Sequence, residues 1–403
     1  MRLLGLALRN LTRNKRRTLI TALAIVLGAV AIVFLRGFGN GFVQNLIETN
    51  VLSKVGAVQV FRKGYLGSDD PLKTSLKEDP QLVARILRVP GVTAVAPRID
   101  FDGMVSNGSE STMFLATAID PALEYKVCPK RATRVAPGSQ PLMPGPEGDA
   151  LIGKTLAESL GAKQSATLVM QAAGPHASTN ALDVEISGFL PTHSLAESKR
   201  LATVRLGFAQ DLLRMKGLVT EYVVGIGELS QARPVAERVR AALGDGYEVT
   251  TWAELDPQTQ TRVTSMDYTL VIIGLVLFLL VATGIVNTML MSVYERVREI
   301  GTMLALGVRR WQVTALFMLE ASALGLLSAL AGIGLGWVLV RVIFRNGLTI
   351  RPPGGDVTTI YPYVDFKFLL IVLGFAFLGT VLSALYPAWK ASRLRPVEAL
   401  RAT

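Results

Sequence analysis

Residues 294–313, YERVREIGTMLALGVRRWQV, decide how the rest of the chain is read. The stretch is dense in charge and lies between two long apolar runs. Glu295 and Arg298 stand three apart, while Val297, Ile300, Gly301 and Leu304 share one face of a helix. Gly307 is placed to stop that helix, because the residue after a helix end often needs positive φ, which Gly takes without steric cost. Arg309 and Arg310 follow, where cations are favoured both by the helix dipole and by the cytoplasmic side of a membrane. The pattern is a short amphipathic helix, 293–310, wedged between two membrane spans. Two readings stand: a linker that only seats its spans at the interface, or a coupling helix that takes force from a cytoplasmic partner.

Outward from this stretch, residues 268–292 read as the second span and 311–342 as the third. A Gly- and Pro-rich outer loop covers 343–365, a fourth span 366–388 and a basic tail 389–403, which carries Lys390, Arg393, Arg395 and Arg401. At the other end, residues 1–17 alternate Leu with Arg and read as an amphipathic lead-in on the inner leaflet. Residues 18–41 read as an uncleaved first span, since the apolar run is longer than a signal peptide needs. Half of the 403 residues are apolar and mean hydropathy is +0.40, values of a membrane protein. The net charge of +11 sits beside the apolar runs, so headgroups and topology account for it better than nucleic acid does. The distribution of Lys and Arg places both termini in the cytoplasm and residues 42–267 outside.

No run within 42–267 is long enough to span a bilayer. Asp79-Pro80 caps a helix that Gly91 ends. Strands are expected at 92–97 and 104–106, with 113–118 pairing back across a turn at Asn107-Gly108. A Pro/Gly-rich stretch, 136–148, precedes a second portion with a helix at 154–160 and strands at 167–171 and 184–189. A third has helices at 208–215 and 231–243 and strands at 221–226 and 247–251. Helices and strands mix without a strict βαβ rhythm, so the class is α+β. The whole fold is then four membrane helices with a large α+β extracytoplasmic domain inserted between the first and second.

Little in the chain carries chemistry of its own. Cys128 is the single cysteine, and His176 and His193 lie in loop-like sequence, so neither a disulfide nor a metal site is expected. No Ser/His/Asp, Cys/His or paired-carboxylate arrangement is legible, and no catalytic residue is assigned. Gly148 to Thr155 fits the pattern G-x-x-x-x-G-K-T of a phosphate-binding loop. Yet Ala150 to Ile152 reads as strand where the loop should be, and the match is taken as coincidence. Glu320 falls inside the third span, roughly 13 Å along the helix. A carboxylate there costs a few kcal/mol unless it is paired or protonated. It either bonds Asn287, Thr283 or another inner polar group, or ties the third span to the coupling helix as a pivot. Ser328, Gly332 and Gly336 form a ladder of small residues that lets another helix approach closely, within the subunit or between subunits.

Arg298-Glu299-Ile300-Gly301, Leu306-Gly307, Arg310 and Glu320 together resemble the signature of ABC-transporter permeases of the MacB/FtsX/LolC–LolE superfamily. Tyr386-Pro387-Ala388-Trp389 and Pro396-Val397-Glu398-Ala399-Leu400-Arg401 match as well, and Leu151 to Gly161 is similar to the lipoprotein-release branch. The resemblance implies a permease subunit without its own catalysis. Glu295, Arg298, Glu299, Gly301, Gly307 and Arg310 would meet a cytoplasmic ABC ATPase dimer, which holds the ATP and Mg while this chain binds no cofactor. It also implies a second permease copy or paralogue, membrane lipids, a periplasmic adaptor or carrier, and two lobes in the outer domain. The location implied is the bacterial inner membrane. The expected cargo is a lipoprotein or another hydrophobic substrate; MacB-like efflux and FtsX-like regulation of a periplasmic partner are the alternatives.

Overall fold

The computed structural model describes residues 15–145, 147–175, 178–191, 198–351 and 357–394. Most of the N-terminal lead-in, both histidines, Arg395 and the 396–401 motif lie outside the described residues. Residues 44–263 form the core of one compact unit, and the long apolar helices form the other.

In the 44–263 unit the organising element is β2 (Val92–Ser106), one unbroken strand of fifteen residues. The sequence reading gave two short strands here, because Asp100, Asp102 and Gly103 look like a loop. The Asp100 and Asp102 side chains alternate instead with Ile99, Phe101 and Val105, which are buried, as a strand with one wet face requires, and Gly103 falls on the buried face. With it run β1 (Val58–Arg62), β3 (Ser111–Ile119), β4 (Asp149–Gly153), β5 (Thr167–Ala173), β6 (Thr179–Leu190), β7 (Leu201–Arg205), β8 (Glu221–Ile226) and β9 (Tyr247–Thr251). The nine form one sheet in the order β9-β1-β8-β2-β3-β7-β4-β6-β5, and β5 returns to pair with the end of β2. Six strands therefore close into a barrel, while β8, β1 and β9 continue from β2 as an open sheet. β2 serves both: Val92 to Arg98 pair with β8, and Met104 to Ser106 pair with β5. The portions that looked separate in sequence share this strand and one apolar core.

Helices fill and cover this frame. α2 (Pro80–Leu87) and α6 (Ala232–Leu243) pack Leu82, Ile86, Val235 and Val239 into the core shared with Val58, Val95 and Val224. Asp79 accepts from the Gln81 amide at 2.8 Å and Pro80 sits at the first helical position, as the sequence indicated. α3 (Pro121–Val127) starts the same way on Asp120. It joins Ala96, Cys128 and Val223 in a separate cluster. α4 (Lys154–Ser159) and α5 (Leu206–Leu212) add Leu156, Phe208 and Leu212 to the main core. In the Gly148 to Thr155 segment, β4 occupies the place of a phosphate cradle, pairing with β6 and β7, and the Thr155 amide donates to Ser198 Oγ at 3.2 Å.

Among the described residues four helices are long and apolar enough to cross a membrane, and most of each lies in the second unit. They are α1 (Lys15–Leu46, continued by a π-helical Ile47–Val55), α7 (Pro257–Glu295), α9 (Arg310–Val338, continued by Leu339–Ile343) and α10 (Phe366–Ser392). Between α7 and α9 lies the short α8 (Val297–Ala305). α7 begins well before residue 268, because a helix does not end where its apolar part does. Small residues set the packing. A Cβ on Gly332 would stand 2.7 Å from Ala29 Cβ and one on Gly336 2.9 Å from Val33 Cβ, so the ladder on α9 seats α1 of the same chain.

The barrel seam has a test. A Cβ at Gly103 would fall 2.2 Å from the Gln171 carbonyl oxygen, which is backbone and has no room to yield. Gly103→Ala is expected to cost about 1–3 kcal/mol and to speed amide exchange in β5, with β1 and β9 unaffected. Gly148→Ala meets nothing within 4 Å and serves as the neutral control. Thermal unfolding and hydrogen exchange of the full-length protein in detergent read both.

Candidate functional site

α8 is built by two interruptions. Arg296, with φ −110° and ψ 15°, breaks the helix between α7 and α8. At the other end Gly307 takes φ +88°. Its amide donates to Leu304 O at 3.2 Å and that of Val308 to Met303 O at 3.0 Å, the two crossed bonds of a Schellman stop. Met303 and Val308 both pack on the same apolar cluster, the contact that accompanies this stop. The sequence placed this ending correctly, and nothing lies within 4 Å of a Cβ on Gly307, so the requirement there is conformational alone.

The two faces of α8 differ sharply. Ile300 and Gly301 are buried, and Ile300 clusters with Val293, Val313, Phe317, Ala388 and Ala391 drawn from the ends of α7, α9 and α10. Gly301, grouped with the coupling residues from its motif, thus belongs to the packed side. Glu295, Arg298, Glu299, Gly307 and Arg310 are exposed. Among them stand Leu306, 81% exposed, and Trp311, 60% exposed. Exposed large apolar side chains ringed by charge are the usual composition of a docking surface.

Behind this surface lies an ion pair the sequence did not reveal. Glu320 of α9 is buried, and Arg296 Nη1 donates to its two oxygens at 3.1 and 3.4 Å. Arg296 is equally buried. Glu320 thus meets the break between α7 and α8 instead of Asn287 or Thr283. Asn287 is exposed, and Thr283 donates to Leu279 O at 2.8 Å within its own helix. The missed signal was periodicity: Arg296 lies between Val293 and Ile300 on the apolar stripe, and a cation there needs an anion. Lys390 Nζ, near the end of α10, donates to Tyr294 Oη at 2.7 Å.

The 44–263 unit holds a second buried charge cluster. Arg98, Glu124 and Glu221 are all at most 3% exposed. Burial alone would raise the Glu124 carboxyl, but the Arg98 and Arg131 guanidinia outweigh it and hold it below its ordinary value. Glu221 is pushed up to about 8 by burial and by the charge of Asp100, with Arg98 acting against them. The two glutamates differ because Arg98 grips Glu124 with two donors, at 2.9 and 2.6 Å, and reaches Glu221 only at 3.5 Å. Cys128 is fully buried, and its sulfur accepts from Arg98 Nη2 at 3.1 Å.

Residues 18–242, more than half of the chain, match a family model described as MacB-like periplasmic core domain, and residues 271–396 match FtsX-like permease C-terminal. The chain is 25% identical to the lipoprotein-releasing system transmembrane protein LolC of Xylella fastidiosa, over 96% of each chain. It is 24% identical to the macrolide export ATP-binding/permease protein MacB of Syntrophobacter fumaroxidans, over 99% of this chain and 63% of that one. The crystal structure of the periplasmic region of MacB from Actinobacillus actinomycetemcomitans aligns over 51% of this chain and 92% of its own, at 9% identity and a TM-score of 0.36.

Two predictions come from the buried charges. Glu320→Ala strands Arg296 and should cost about 3–5 kcal/mol, whereas Glu320→Leu with Arg296→Met should recover most of it. Thermal unfolding of wild type and the two variants decides; a double variant no more stable than Glu320→Ala would show that the cost is not that of a stranded charge. For Glu221, the folded state keeps a proton that the unfolded chain loses above its ordinary value of 4.5. Its contribution to stability is therefore full below 4.5 and is lost as pH rises towards about 8. Glu221→Gln should flatten that fall in melting temperature between pH 5 and about 8.

Proposed function

The chain belongs to the family of MacB-like and FtsX-like ABC-transporter permeases, and on that premise we propose that it couples a cytoplasmic ATPase to motion of its 44–263 unit. In this reading both termini and α8 face the cytoplasm of a bacterial inner-membrane protein. The 44–263 unit, inserted between the first and second spans, lies on the outer side, in accord with the Lys and Arg distribution. Two copies, or this chain and a paralogue, work with an ATPase dimer that binds the ATP and Mg.

The observation that carries the proposal is the exposed face of α8. A helix that merely sat on headgroups would need neither a fixed stop at Gly307 nor an ion pair locking its start to α9. Arg296–Glu320 makes α8 and the third span move as one body, so force on the charged face reaches the membrane helices without slack. The cargo read from the relatives is a lipoprotein or another hydrophobic molecule, because those named for lipoprotein release match along nearly the whole of both chains. MacB-like efflux is the second reading.

Glu295→Lys with Glu299→Lys puts reversed charges at the contact, at a cost of about 2–5 kcal/mol if it is desolvated and roughly 1 or less if it is not. The double variant is expected to release the ATPase that co-purifies with the wild-type chain, or to leave it hydrolysing without transport. Gly307→Val should act alike, since a β-branched side chain resists φ +88°. Pull-down of the ATPase beside a cargo-release assay checks both; wild-type behaviour in both assays refutes the coupling role.

A further inference from the structure

The helix that begins as α1 ends inside the 44–263 unit, at Val55. A helix end leaves its last carbonyls without donors, and burying them unmet is costly. Here side chains meet them in succession. Arg131 Nε donates to Ser53 O at 2.9 Å, and its Nη2 reaches Lys54 O at 3.5 Å. Val55 O accepts from Arg98 Nη1 at 3.0 Å and from Gln59 Nε2 at 2.8 Å. One turn earlier the Arg134 guanidinium donates to Thr49 Oγ1, and Lys130 Nζ stands 3.4 Å from Glu48. The cations also suit the negative end of the helix dipole.

The two arginines at the very end are themselves held from behind. Both donate to Glu124, Arg98 with two nitrogens and Arg131 through Nη1 at 2.8 Å. Glu124 is fully buried on α3, and Arg98 stands on β2, the strand common to the barrel and the open sheet. We infer that Arg98, Glu124 and Arg131 form a rigid joint that fixes the end of the first spanning helix to β2, against both rotation and sliding.

Successive carbonyls of a helix stand at different angles around its axis. A helix end held by one of them could swivel about it; held by three facing different ways, it cannot turn. Apolar packing would anchor the segment without the desolvation cost that each buried ion demands, but an apolar contact slides. Guanidinium supplies what sliding contacts lack, a planar fork with fixed directions. The joint itself depends only on contacts within the 44–263 unit. Its use, delivering movement of the helix to the sheet, rests on the coupling reading above.

Arg131→Lys separates anchoring from folding. Lysine keeps the charge beside Glu124, but a single ammonium cannot span two carbonyls. In full-length protein in detergent, without nucleotide, amides of residues 47–56 should exchange about tenfold faster, while β2, β3 and the melting temperature stay as in wild type. Arg131→Ala should show the same local loss with a lower melting temperature. Unchanged exchange at 47–56 in both variants, or acceleration of the whole unit together, would overturn the joint. With the co-purified ATPase, nucleotide should alter exchange in β2 and β3 of the wild type and not of Arg131→Lys, at equal hydrolysis. A nucleotide response equal in both proteins also overturns it. If wild type itself gives no response, the coupling reading fails, and the nucleotide-free comparison still decides the joint.

Discussion

The Arg98–Glu124 pair stands where α3, β2 and the end of the first spanning helix meet, and each of those elements depends on it. An ion buried this deeply must have its counter-ion and its remaining hydrogen bonds supplied by fixed neighbours. Arg98 obtains them from Glu124 on a helix and Val55 O at a helix end, with Glu221 on β8 at 3.5 Å. The cluster is costly as a source of stability and effective as a source of direction. Removing Arg98 or Glu124 would leave its partner charged and buried, so the arrangement is held in one geometry. Glu221 records the limit of the device: it faces the same arginine across the strand register, at a longer distance, and keeps its proton instead.

Glu320 and Arg296 repeat the solution in the membrane unit. One carboxylate in a spanning helix is matched by one cation at a helix break, and the match fixes where α8 departs from α7. Small residues complete the frame. Gly332 and Gly336 on α9 admit α1, Gly325 meets Thr380 of α10, and Gly379 meets Phe278 of α7. These contacts are possible only without a Cβ, so the ladder read from the sequence serves packing within this chain. The outer face of α8, with Arg298, Glu299 and Leu306, is exposed.

Much of this was legible in the residues alone. Apolar runs of sufficient length dictate spanning helices, since no other backbone arrangement meets its own hydrogen bonds in lipid except a closed barrel. The stop at Gly307, the caps at Asp79 and the strand at 221–226 rest on local chemistry, which a sequence carries directly. The continuity of β2 was not legible, because charged Asp100 and Asp102 on its wet face resemble a loop until the partner strands are known.

The closure of six strands into a barrel and the partners of Glu320, Arg98 and Glu124 were decided by tertiary structure. Each joins residues far apart in the chain, Arg98 to Glu221 across a sheet and Arg296 to Glu320 across two helices. A sequence fixes which side chains lie on one face of an element, because helix and strand periods are local. It does not fix which face meets which, because that choice is set by the whole set of elements burying apolar surface together. The sequence alone therefore determined four apolar helices of spanning length, among the described residues, with a short amphipathic helix between the second and the third. Which charges hold that helix, and which hold the end of the first span, followed only from the packed chain.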